Sequence, residues 1–166
     1  MIPNRIVIDT NVCLDLFVFR DPRWHCLLAA LQDGTIEAVT RADCRTEWLI
    51  VLGYAQLKLD ENARQCSMAE FDAVIHCLPG PIEGSAAVRL PVCKDRDDQK
   101  FLELARDAQA SALITKDKAL LKLASKTRRD GLFLIAKPEI WMASDAISIA
   151  IKTTNYHFSD LICNSM

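Results

Sequence analysis

Ile6-Val7-Ile8-Asp9-Thr10-Asn11 sets three β-branched apolar residues directly before a carboxylate and two small polar residues. The apolar run has the character of a short strand buried on both faces, and its abrupt end delivers Asp9 to the carboxyl edge of a sheet. In open α/β sheets ligands bind at that edge, where strand order reverses, so a first strand ending in Asp is a candidate floor for a site. A simpler role competes: Asp9 or Thr10 could only cap a helix that starts near Asn11.

Outward from this stretch, strands and helices alternate. Apolar runs predict strands at residues 5–9, 37–40, 87–90, 112–115 and 132–135, the third an edge strand because of Pro91. Helices are expected from Val12 to Phe19, from Pro22 to Asp33 with Gly34 closing it, and from Asp43 to about Tyr54. Because Trp48-Leu49-Ile50-Val51-Leu52 is apolar nearly all round, that third helix should be buried on most faces. Helical spacing continues from Asp60 to Cys77 with Met68, Phe71, Val74, Ile75 and Leu78 inward, and Leu78 to Ser85 is the clearest loop. Further helices follow the charged run Lys94 to Lys100, then Asp117 through Ala124, and then Pro138 to Met142. Strands alternating with helices imply a mainly parallel sheet between helical layers.

The 166 residues, 51% hydrophobic and 25% charged, suit a single globular domain. We assign residues 1–144 to it and 145–166 to a tail packed on the same domain, with a helix near Asp145 to Lys152. Seven cysteines without a CxxC pair argue against a disulfide framework or a zinc site and for buried thiols in a reducing compartment. No apolar run is long enough to span a bilayer, and the first strand begins too early to leave room for a signal peptide. The expectation is a soluble, cytoplasmic protein with no membrane partner. A net charge of −2 does not suggest a nucleic-acid binder. A carboxylate site neutralised by divalent ions would still leave nearby Lys and Arg free for phosphates.

Each acid has a structural explanation when taken singly. Asp117 is a natural helix cap after Ile114-Thr115, and Glu47 is an early-turn acid favoured by the helix dipole. Of Asp97 and Asp98, which flank the centre of an apolar stripe, periodicity says that one faces inward without saying which. Taken together, Asp9 and Asp117 follow strands, whereas Glu47 and an acid of the 97–98 pair begin helices that follow strands. All then lie at one sheet edge. Carboxylates gathered without basic partners repel one another and raise their pKa values unless cations sit among them, and hard oxygen donors suit Mg²⁺ or Mn²⁺.

Val7-Ile8-Asp9-Thr10-Asn11, Glu47 before an apolar helix, Asp98-x-x-Phe101-Leu102-x-x-Ala105 and Ile114-Thr115-x-Asp117-x-x-Leu120-Leu121 together resemble the PIN domain, in particular bacterial toxins of toxin–antitoxin pairs. The likeness runs from Arg5 to about Met142. It implies a three-layer α/β/α fold with a five-stranded, mainly parallel sheet in the order 3-2-1-4-5. It also implies a Mg²⁺- or Mn²⁺-dependent ribonuclease that cleaves single-stranded RNA. Asp9, Glu47, Asp98 and Asp117 match the family's catalytic and metal-binding quartet, which selects Asp98 over Asp97. Thr10, Asn11 and Thr115 match its supporting polar residues. Arg41, Arg45, Arg96, Lys100, Lys116 and Lys118 fall near the expected rim, where they could contact an RNA backbone. An antitoxin protein and a second copy of the chain are the expected partners. Gln99, Lys116 and Ala119 depart from the pattern, standing where relatives often carry an acid, a glycine and an acid; the departures bear on a second metal position.

Other readings are weaker. A haloacid-dehalogenase-type phosphatase needs an Asp where Asn11 stands, and a phospho-accepting receiver domain needs adjacent acids after its first strand. The remaining alternative is a PIN fold kept as a noncatalytic RNA- or protein-binding module, which loss of an acid would have favoured.

Overall fold

Burial on both faces of the first strand builds the molecule. In the computed structural model, which describes residues 1–80 and 87–144, β1 (Ile2–Ile8) turns Ile6 and Ile8 to one apolar cluster and Val7 to another. Consecutive strand side chains point to opposite faces, so a run of apolar residues without alternation needs a helical layer on each side. β2 (Glu37–Thr40) divides Ala38 from Val39 in the same way, and β4 (Ala110–Ile114) divides Ile114 from Leu113.

Among the described residues the sheet has five parallel strands in the order β3-β2-β1-β4-β5, with β3 at Ile75–Cys77 and β5 at Leu134–Ala136. One face carries α1 (Thr10–Phe17), α2 (His25–Gln32), α3 (Ala42–Leu52), α4 (Glu61–Val74) and α8 (Pro138–Met142). The other carries α5 (Gln99–Asp107), α6 (Lys118–Leu121) and α7 (Ala124–Arg129). This is the expected α/β/α architecture. The chain runs outward from β1 to β2 and β3, then returns to the far side of β1 for β4, so strand order reverses between β1 and β4. A crevice at the carboxyl ends of those two strands is the expected ligand site.

Three local expectations need correction. The third strand is Ile75–Cys77 rather than residues 87–90, so the order implied by the resemblance holds with a different segment at its outer end. Ile75 satisfies both a helical period from Phe71 and an inward strand position, and the backbone turns extended there. Residues 88–93 form no strand, because the carbonyl of Pro91 and the amide of Cys93 bond to the Gln99 side chain instead of to a neighbouring ladder. In α3 only Cys44, Trp48 and Leu52 are buried, a single stripe at intervals of four, and Ile50 is 56% exposed. The helix expected from Asp117 through Ala124 is two short helices, α6 and α7. The helix expected near Asp145 to Lys152, the tail at 145–166 and part of the loop ending at Ser85 lie outside the described residues.

Two features fix the helices that carry the site. Trp48 stacks on Phe71 at 5.3 Å between ring centroids, and both meet Phe17 edge-on at 6.0 and 5.8 Å, which pins α3, α4 and α1 together. Gly34, at φ +77, takes the left-handed conformation that returns the chain from α2 towards β2.

Candidate active site

Asp9 follows β1 at the N-cap position of α1, yet its side chain makes no capping bond. Its Oδ2 instead accepts hydrogen bonds from the Thr115 hydroxyl at 2.5 Å and from Asn11 Nδ2 at 2.6 Å. The simple capping role therefore does not account for Asp9. Its backbone amide continues the β1–β4 ladder onto the Ile114 carbonyl, which holds the carboxylate over the reversal point of the sheet. Burial pushes the Asp9 carboxyl up to about 6; the bonds from Thr115 and Asn11 oppose that rise, and the charge of Glu47 adds to it.

Asp117 does cap a helix. Its Oδ1 accepts from the amides of Ala119 at 2.6 Å and Leu120 at 3.0 Å, opening α6. Its own amide donates to the Thr115 hydroxyl oxygen at 2.9 Å, so one buried threonine orients both Asp9 and Asp117. The cap occupies one carboxylate oxygen and leaves Oδ2 without a bond to the described residues.

Glu47 sits in the second turn of α3, beyond the reach of a cap. Trp48, buried beside it, sets the rotation of the helix and turns Glu47 towards α1 and α5. Glu47 Oε1 accepts from the Thr10 hydroxyl at 2.6 Å, and Oε2 is in close ion contact with Lys100 Nζ.

Asp98 is half-buried at the start of α5, whereas Asp97 is exposed, so of the two acids it is Asp98 that faces inward. The Asp98 carboxylate makes no hydrogen bond to the described residues, and its carboxyl is pushed up to about 7. Desolvation is the main cause, followed by repulsion from Asp9, Asp117, Asp95 and Glu47. The four acids singled out in the sequence thus share one electrostatic field.

The carboxylate oxygens of Asp9, Asp98 and Asp117 are hard, anionic donors of the kind that Mg²⁺ and Mn²⁺ take. Their chemistry fits such an ion. The acids are gathered without being drawn into a finished shell: among the described residues no three His, Cys, Asp or Glu groups stand close enough together to hold a metal. Carboxylates without a counter-ion repel one another, and that repulsion opposes tighter clustering.

Most of the basic rim candidates are already engaged. Arg41 pairs with Asp43 and Glu103, Arg45 forms a two-pronged pair with Asp72, Lys100 meets Glu47, and Lys116 Nζ reaches the buried Asp15 at 2.6 Å. The Lys116 amide also donates to Asn11 Oδ1, so this lysine latches the loop after β4 onto α1. Arg96 and Lys118 remain exposed, and an open groove beside them is lined by Lys94, Asp95, Arg96 and Ala119. Asp15 and Asp95 were missed as parts of this network. An acid inside the otherwise apolar stretch Val12 to Phe19 was the available signal for Asp15.

Among the described residues no helix is long and apolar enough to cross a membrane. No curated protein matches the chain. A family model described as PIN domain matches residues 5–119, from β1 through the start of α6, and the match takes in all four acids. The chain therefore belongs to the PIN-domain family, whose members are generally nucleases.

Proposed function

We propose that the protein is a Mg²⁺- or Mn²⁺-dependent endoribonuclease that cleaves single-stranded RNA, acting as the toxin of a toxin–antitoxin pair. The observation that carries this reading is the Asp98 carboxylate. It is half-buried, free of hydrogen bonds to the described residues, and repelled by Asp9, Asp117 and Glu47, an arrangement with a cost to the fold and a use in cation binding.

Asp9, Asp98 and Asp117 would hold the ion. When bound, a divalent ion supplies activation of water and neutralises charge developing on the phosphoryl oxygens. The chain's own work is positioning. Thr115 and Asn11 fix the Asp9 carboxylate, the α6 amides fix Asp117, and Thr10 fixes Glu47 over the crevice. Arg96, Lys118 and Lys94, exposed beside the groove at the start of α5, are the side chains free to meet an RNA backbone. An antitoxin and a second copy of the chain are the proposed protein partners, supported by the exposed apolar side chains Phe19, Ile50 and Tyr54.

The test is cleavage of a generic single-stranded RNA by purified protein with and without Mn²⁺, beside Asp9→Asn. Metal-dependent cleavage that the variant loses supports the reading. Equal cleavage by both proteins, or RNA binding with no metal-dependent cleavage, overturns it; the latter result favours a noncatalytic binding module. Co-expression with the product of a neighbouring small open reading frame tests the toxin role, and light scattering tests self-association.

A further inference from the structure

Hydrogen bonding separates Glu47 from the other three acids. Asp117 keeps Oδ2 clear and Asp98 keeps both oxygens clear of bonds to the described residues, while the bonds to Asp9 come from neutral donors on Thr115 and Asn11. Glu47 has Oε1 occupied by the Thr10 hydroxyl and Oε2 by the ammonium of Lys100. Lys100 reaches it from the first turn of α5, two residues after Asp98, and both side chains are largely shielded, at 21% and 27% exposure. The same ammonium lies 5.6 Å from the centre of the Phe101 ring, whose own burial in the core fixes the root of the lysine.

A lysine ammonium is a compact cation with three donors. Seated on Glu47 Oε2, it would have to be displaced before an ion could take that oxygen, because two cations on one oxygen repel. Positions 99 and 119, where the resemblance leads one to expect acids, add no charge to attract a second ion. Gln99 is neutral and committed at both ends of its amide to the 91–93 loop, and Ala119 has no polar group.

We propose that Lys100 is a positioning residue that permanently fills the Glu47 corner of the acidic site, so that the site takes one divalent ion, on Asp9, Asp98 and Asp117. Glu47 then acts through its bonds to Thr10 and Lys100, tying α1, α3 and α5 together around the crevice, and does not touch the ion. This inference rests on the nuclease reading above and narrows it to a one-ion site.

Calorimetric titration of the full-length protein with Mn²⁺ tests it by stoichiometry, independently of RNA cleavage. Wild type should bind one ion per chain. Lys100→Met, which keeps the length of the side chain and removes its charge, should bind two. The double variant Glu47→Gln with Lys100→Met leaves the net charge unchanged and should again bind one, with affinity within about threefold of wild type. It also serves if the single variant does not fold. Two ions on wild type, one ion on a folded Lys100→Met protein, or a tenfold or greater loss of affinity in the double variant overturns the proposal. Uptake of no ion by wild type removes the metal-dependent reading as well, so the two failures are told apart.

Discussion

Thr115 donates its hydroxyl hydrogen to Asp9 Oδ2 at 2.5 Å while its oxygen accepts the amide of Asp117 at 2.9 Å, joining the two strands at which the sheet reverses. The threonine is fully buried, so neither bond competes with water. Thr115→Val keeps the shape and removes both bonds, leaving the Asp117 amide without its acceptor. Urea denaturation should show a loss of about 1–3 kcal/mol. Mn²⁺ affinity should fall at least tenfold because Asp9 and Asp117 lose their common orientation; unchanged affinity would mean that the hydroxyl does not position them.

The stability of the metal-free protein should rise as pH falls from about 7.5 to 5. Asp9 and Asp98 have folded-state pKa values near 6 and 7, above the ordinary 3.8, so the folded chain holds their protons more tightly than the unfolded chain does. Their contribution is complete below the ordinary value and is lost as pH rises through the folded values. Melting temperatures in a chelator across this range check the sign. A flat profile, or one that climbs with pH, would contradict the repulsion described here.

Asp9→Asn removes one of the repelling charges without changing the shape of the side chain. At neutral pH in chelator it should melt at or above the wild-type temperature. Mn²⁺ should raise the melting temperature of wild type, by mass action on the folded state, and leave the variant nearly unmoved. A variant that is less stable in chelator and still responds to metal would make Asp9 a structural residue.

Gln99→Glu places a carboxylate beside Asp98 and leaves the Pro91 carbonyl facing an acceptor where it now receives a donor at 3.3 Å. The expected cost in chelator is about 1–2 kcal/mol by chemical denaturation. Added Mn²⁺ should recover part of that loss, because the new charge attracts the ion. A variant as stable as wild type in chelator would show that the amide does not anchor the 91–93 loop.

Trp48→Ala opens a cavity between α1, α3 and α4 and should cost about 3–5 kcal/mol, read from the denaturation midpoint. The Glu47 to Lys100 contact depends on the rotation of α3 that Trp48 sets. If this variant lost less than about 1 kcal/mol, the aromatic trio would not be what holds α3 in place.

Local order along the chain was enough to read the alternation of strands and helices, the two-sided burial of β1 and the placing of acids after strands. These follow from side-chain periodicity and from the sharp change of character at Ile8-Asp9 and at Thr115 to Asp117. The choice of Asp98 over Asp97 came from family resemblance, because a helical wheel places both beside the same stripe. Tertiary structure alone made the remaining decisions. Ile75 fits a helix and a strand equally well until β2 offers it a ladder, while Pro91 and Cys93 lose theirs to the amide of Gln99. Lys100 reads as a rim cation in the sequence and becomes the partner of Glu47 only when α3 and α5 meet. Charges far apart in the chain interact at distances that no local pattern encodes, so whether a lysine faces RNA or neutralises an acid is settled by packing.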